Sequence, residues 1–209
     1  ERTMLTDRGA SVELADPEAP GFYSLSHETL KIGADNPDNF YQNASLDGRL
    51  TYRISGTRGS VHYLGFSTKA GGYGSTGGLA PTGFIDSTTL AVGADGRFEL
   101  IVSATPHDGN WLPMTAESSM LIVRQTFLDR TQERRAELTI ARHPTPTAPR
   151  PLDPVTIATR LGNAARFVEG TARVFADWAA GFAAHPNALP RQDQQRYLAA
   201  GGDPSIHYY

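Results

Sequence analysis

The chain has 209 residues, enough for one sizeable domain or two small ones, and its formal net charge is −3. It contains no cysteine, which excludes disulfides, cysteine-ligated zinc and thiol nucleophiles. The acidic balance disfavours a nucleic-acid partner, because phosphate binding normally requires a stripe of basic side chains. No apolar run approaches the ~20 residues of a membrane-spanning helix, so we expect a soluble protein without a transmembrane segment, in a compartment that the sequence leaves open.

Residues 1–37 predict an irregular N-terminal arm. They are polar, show no sustained hydrophobic period and are interrupted by proline turns at Asp16-Pro17, Pro20-Gly21 and Asn36-Pro37. A free-standing domain seldom begins so loosely. We therefore expect that the arm is held by packing against the following residues, or that a preceding piece is missing.

Residues 38–142 predict an antiparallel β domain of about seven short strands. In its clearest strand Leu50, Tyr52 and Ile54 alternate with polar residues, which is typical of a strand with one buried face. The dipeptides Asp47-Gly48 and Asp95-Gly96 favour tight hairpins between successive strands. Strands at this spacing predict a β-sandwich or a jelly-roll-like meander. The predicted strands cover residues 40–46, 49–55, 60–68, 83–92, 97–104, 119–128 and 135–141.

A proline-rich linker, residues 143–154, separates this β domain from a helical segment, residues 155–209. The five prolines of the linker favour extended backbone. Asp153 is suited to cap the helix, and Pro154 suits its first position. Apolar residues recur at helical spacing over 155–184 and cover more than one side, so we expect this helix to contact a neighbouring domain or a second copy of the chain.

Several short motifs, taken in order, resemble a known bacterial family. They are Asp35-Asn36-Pro37-Asp38-Asn39-Phe40-Tyr41, Tyr52-Arg53-Ile54-Ser55-Gly56-Thr57-Arg58-Gly59, Gly109-Asn110-Trp111-Leu112-Pro113 and Gly201-Gly202-Asp203-Pro204. From about residue 16 to the end, the chain is similar to the uncharacterised proteins that carry domain of unknown function 1214. The resemblance implies a β-sandwich or jelly roll and a chain that is longer at both ends. It implies no established catalytic residue.

The loop Gly72-Tyr73-Gly74-Ser75-Thr76-Gly77 fits the pattern G-x-G-x-x-G. In a dinucleotide-binding unit this loop begins a helix whose N-terminus holds the pyrophosphate. Here a further strand follows, which favours a plain connection between strands. The functional alternative is a lid over a ligand with Tyr73 as a binding residue.

The turn before Trp111 holds the other candidate site residues. His107 with the neighbouring Asp108 could act as a general base and its partner, although turn residues usually bond their own backbone. Asn110 and Trp111 are candidates for contacting a small molecule or a carbohydrate. The six histidines show no metal-ligand spacing, so we predict no metal and no cofactor.

Two hypotheses follow for the function. The first is a β-sandwich module of a larger protein that binds a ligand or mates with a neighbouring domain. The second is a hydrolase whose site lies between this domain and a missing second β domain, near His107 and Asp108, since sites favour domain interfaces. The sequence leaves open whether the protein is an enzyme.

Overall fold

The computed structural model describes residues 16–26, 36–72, 78–144, 153–188, 194–195 and 197–198. These residues form eight strands and one long helix. The strands are β1 (Asn39–Ser45), β2 (Thr51–Thr57), β3 (Tyr63–Gly71), β4 (Leu79–Asp86), β5 (Arg97–Ser103), β6 (Trp111–Pro113), β7 (Ser118–Thr126) and β8 (Glu137–His143), and the helix is α1 (Pro154–Ala183).

The strands form two four-stranded sheets. The first has the order β1-β7-β3-β4 and is antiparallel throughout. The second has the order β6-β5-β2-β8 and is antiparallel except for the short parallel pair of β5 and β6. The expected β-sandwich followed by a long helix is confirmed.

One hydrophobic core lies between the two sheets. Phe66 of the first sheet meets Phe98 of the second edge to face, with their ring centroids 6.0 Å apart. The inward residues of each strand alternate with outward ones, which explains why the period-two pattern identified most strands. The fully buried members of the core include Tyr52, Ile54, Leu64, Leu100, Val102, Leu112, Leu121 and Val123.

The turns predicted as hairpins connect strands of different sheets. β1 pairs with β7, whereas β2 pairs with β5 and β8, so the turn at Asp47-Gly48 carries the chain across the core. Gly48 is required there because a Cβ would lie 1.9 Å from the carbonyl oxygen of Thr115. The connection from β4 to β5 also changes sheet. Each strand has one apolar face, and facing sheets bury those faces on both sides of one core.

β4 differs most from its predicted extent and β6 was not predicted, while the ends of the other strands lie within three residues of their predicted positions. β4 covers residues 79–86 rather than 83–92, because Asp86 ends it: the Asp86 carboxylate accepts from the backbone N–H of Thr88, and its carbonyl accepts from Leu90. β6 was not predicted, since three residues are too short to show a period.

Helix α1 begins where the sequence predicts. The Asp153 side chain accepts a hydrogen bond from the backbone N–H of Thr156 at 2.9 Å, and Pro154 occupies the first turn. Linker residues 145–152 lie outside the described part of the chain, as do residues 201–204 of the terminal motif.

The described part of the arm, residues 16–26, has no regular structure of its own. Tyr23 forms an antiparallel bridge with Asn43 on the outer edge of β1. Glu18 pairs with Arg142 of β8, and Asp16 pairs with Arg160 of α1 at 3.1 Å. The arm therefore contacts both sheets and the helix.

Candidate functional site

The turn that carries His107 and Asp108 joins β5 to β6 and is exposed. The imidazole Nδ1 lies 2.8 Å from the backbone carbonyl oxygen of Asp108. Because a carbonyl only accepts, Nδ1 carries the hydrogen, and Nε2 is the ring atom that remains to accept a proton. The ring is thus oriented by a backbone carbonyl. A catalytic role for either residue stays a prediction.

Asn110 links this turn to a second loop. Its side-chain oxygen accepts from the backbone N–H of Ala91 at 2.8 Å, and its amide nitrogen donates to the carbonyl oxygens of Ala91 and Glu99 at 2.8 and 2.9 Å. These bonds engage both amide hydrogens and the oxygen. A ligand would have to compete with them for the Asn110 side chain.

Trp111 begins β6 and lies beside Ile101 of β5 in the parallel register. Its indole N–H donates to the carbonyl oxygen and the hydroxyl of Ser103, at 3.2 and 3.1 Å. The residue is half-buried. The indole is therefore fixed by its own strand pair, with part of its surface open to solvent.

Tyr73 lies outside the described residues, as does the rest of the segment 73–77. The ends of its loop are held together, since the N–H of Gly72 donates to the carbonyl of Gly78 at 3.2 Å. The Ser119 hydroxyl donates to the carbonyl of Gly71 at 2.7 Å. The proposed lid and its ligand stay predictions.

A buried cluster of hydroxyl groups that the sequence analysis missed lies where β6 approaches the first sheet. Thr82 bonds to the hydroxyls of Thr68 and Ser118, at 3.0 and 2.7 Å. Thr68 donates to the carbonyl oxygen of Pro113 at 2.7 Å, which joins the two sheets. The inward register of Thr68 was the signal that could have revealed the cluster. Its hydrogen bonds lie within the protein, which indicates a structural role.

Helix α1 exposes several large apolar side chains. The exposed fraction is 75% for Val155, 57% for Leu161, 38% for Ile157 and 36% for Phe182. Gly170 is the one residue of this fully described helix that is buried. The described residues of this chain therefore do not bury α1 on more than one side.

Apolar and aromatic residues of α1 recur in alternating steps of four and three. Phe175, Trp178 and Phe182 follow this spacing, and their rings pack edge to face. The ring centroids are 5.6 Å apart for Phe175 and Trp178 and 6.3 Å apart for Trp178 and Phe182. Such spacing is typical of a helix that packs lengthwise against another element. The residues in this series are Ile157, Leu161, Ala164, Val168, Thr171, Phe175, Trp178 and Phe182, of which Thr171 alone is polar.

No protein-family model and no curated protein matches this chain. Among solved structures, the chain is similar to an uncharacterised protein from Burkholderia cenocepacia, at 50% sequence identity and a TM-score of 0.90. The two share one fold. The alignment covers 97% of this chain and 56% of the other, so this chain spans little more than half the length of that relative.

A protein from Vibrio parahaemolyticus also matches, at 17% identity over 50% of this chain and 31% of that chain. Its TM-score of 0.35 is too low to support a structural argument.

Among the helices that the structure describes, none is both long enough and apolar enough to cross a membrane.

Proposed function

We propose that this chain is a β-sandwich module of a larger protein and that it mates with a neighbouring domain through α1. The observation that carries the proposal is the exposure of Ile157, Leu161 and Phe182 along one face of a 30-residue helix. Burying an exposed leucine or isoleucine side chain contributes about 1.5–3 kcal/mol. A folded domain gains that energy when a partner covers the helix.

We propose that the partner covering α1 is a further part of the same, longer polypeptide. This chain covers 56% of the Burkholderia relative, so the other 44% of that relative lies outside the alignment. The resemblance to the family with domain of unknown function 1214 supports the same proposal, because it implies additional chain at both ends. Membership in that family is part of the proposal.

The alternating spacing of the α1 residues supports a lengthwise contact. Leu161 and Phe182 are more than 20 residues apart in the helix, which corresponds to roughly 30 Å along its axis. Exposed apolar groups spread over such a length are better covered by a domain surface than by a small ligand. Domain mating thus accounts for the exposed face that runs from Ile157 to Phe182.

The proposal is tested by cysteine protection in the intact protein. This chain contains no cysteine. With any cysteine outside this chain replaced by serine, single reporters are placed at Leu161→Cys and, as the matched control on the opposite face of the same helix, at Thr159→Cys. We expect a thiol reagent to modify the cysteine at position 161 at least about tenfold more slowly than the cysteine at position 159, because a mated domain excludes the reagent.

Equal modification rates at the two positions would overturn domain mating. Protection that disappears on dilution would indicate a second copy as the occupant instead, since a covalently linked domain stays at a fixed effective concentration. Leu161→Ala should in addition destabilise the intact protein by about 2–3 kcal/mol, the cost of losing a buried leucine.

A further inference from the structure

The two sheets of the sandwich have four edge strands, and three of them are blocked. β4 contains Pro81, which has no N–H to offer a further strand. The outer edge of β1 is bonded to Tyr23 of the arm. β6 has three residues and ends at Pro113. These are the devices by which proteins prevent edge-to-edge pairing.

The fourth edge, β8, has none of these three features in the described part of the chain. It has seven residues, Glu137–His143, without proline or glycine, and it pairs with β2 on one side. Within the described residues the arm reaches β8 through the Glu18–Arg142 ion pair, and no backbone hydrogen bond joins the arm to this strand. Among the described residues, the outer edge of β8 is therefore unpaired and can accept another strand.

The two faces of β8 fix how a second strand would be oriented. Leu138 and Ile140 pack towards the core, so alternation places Glu137, Thr139, Ala141 and His143 on the outer face. Glu137 and His143 are both exposed. They stand at opposite ends of the strand, three residues on either side of Ile140.

We propose that β8 is a self-complementary edge that pairs antiparallel with β8 of a second copy, about a two-fold axis at Ile140. This arrangement places each Glu137 opposite His143 of the other copy, and each Thr139 opposite Ala141. An imidazole donates an N–H to a carboxylate whether it is neutral or charged, so two favourable pairs form per dimer. The second sheets of the two copies become one eight-stranded sheet.

Charge exchange tests the pairing with variants of exposed residues, in the full chain, by analytical ultracentrifugation. We expect a dimer whose dissociation constant lies between about 1 µM and 1 mM. His143→Glu places like charges opposite each other twice and should raise this constant by about tenfold. Adding Glu137→His to that variant restores both pairs and should return the constant to within about threefold of the parent value.

Glu117→His serves as the control, because Glu117 is another exposed glutamate, in the turn before β7. It should leave the dimer unchanged, and thermal unfolding of every variant should match that of the parent. A chain that stays monomeric up to about 1 mM would overturn the proposal. So would a dimer that is sensitive to Leu161→Asp in α1 but insensitive to the exchanges in β8.

Cross-linking tests the register. Residues directly opposite in an antiparallel pair have Cβ atoms ~4.5–5.5 Å apart, close to the separation that a disulfide spans. When Thr139→Cys and Ala141→Cys chains are mixed and oxidised, the mixed disulfide should form faster than either symmetric one. A dominant disulfide between two Thr139→Cys chains would contradict this register.

Discussion

At the scale of single residues, Tyr52 shows how one buried hydroxyl holds a turn. Its ring lies in the core, fully buried, and its oxygen accepts a hydrogen bond from the backbone N–H of Asp47 at 2.7 Å. Burial raises the pKa of Tyr52 to about 12. Tyr52 is the inward residue that anchors the crossing from β1 to β2.

This pKa predicts an alkaline loss of stability. Between about pH 10 and 12 the folded state keeps the Tyr52 proton while the unfolded state releases it, so a rise in pH favours unfolding. The stabilisation is complete below pH 10 and is lost as the pH passes through the folded pKa. Tyr52→Phe should lower the free energy of unfolding by about 1–2 kcal/mol at neutral pH, because the N–H of Asp47 loses its acceptor.

Urea unfolding of the parent and of Tyr52→Phe, in steps from neutral pH to about pH 12, measures both effects. The variant should decline less steeply in the alkaline range. Burial also raises the pKa of Tyr23, so a residual slope is expected. An identical slope in the two proteins would contradict the assignment to Tyr52.

At the scale of secondary-structure elements, Asn110 connects β5 to the loop that precedes it. Its three side-chain bonds reach Ala91 twice and Glu99 once. The loop that carries Ala91 has no ladder partner, since β4 ends at Asp86 and β5 begins at Arg97. Asn110 thus supplies the hydrogen bonds that a neighbouring strand would supply within a sheet.

Asn110→Ala should therefore destabilise the protein by about 1–3 kcal/mol and speed hydrogen exchange at the Ala91 amide. Asn110→Asp keeps an acceptor for that amide but loses both donors, so its Ala91 exchange should be slower than in Asn110→Ala. Exchange measured by NMR distinguishes the two. Asp108→Ala, in the same turn, is the control and should change stability by less than about 0.5 kcal/mol. Unchanged exchange at Ala91 in Asn110→Ala would refute the structural role.

At the scale of the whole molecule, Gln125 joins the two sheets from inside the core. This fully buried side chain of β7 accepts from the N–H of Ala136 at 2.7 Å and donates to its carbonyl at 3.2 Å. Ala136 immediately precedes β8, so the bonds cross from the first sheet to the second. The same amide lies 3.2 Å from the side-chain oxygen of Gln42 in β1.

Gln125→Leu keeps the volume but leaves two buried backbone groups of Ala136 without partners. We expect it to lower the free energy of unfolding by about 2–4 kcal/mol. Gln42→Leu is the matched control, because it removes one side-chain acceptor while the bonds to Ala136 remain, and it should cost about 0.5–1 kcal/mol. Urea unfolding measures both, and equal losses would show that the link to Ala136 is not what matters.

Local pattern was sufficient for some of this fold and insufficient for the candidate sites. The alternation around Tyr52 identified a strand with one buried face, and Asp153-Pro154 identified the start of α1, because both signals depend on neighbours within a few residues. The bonds of Asn110 to Ala91, 19 positions away, have no such local signature. His107 and Trp111 of the same turn could be chosen as candidates from their residue types, but their hydrogen-bond partners could not be predicted.

The sequence by itself determined which residues face inward and where the long helix begins, since period and capping are properties of adjacent residues. Only the tertiary structure decided that β1 pairs with β7 rather than β2, that α1 leaves Leu161 exposed and that β8 pairs, among the described residues, with β2 alone. The physical reason is that any strand with one apolar face can pair with several others. The choice among them depends on packing both sheets around one core.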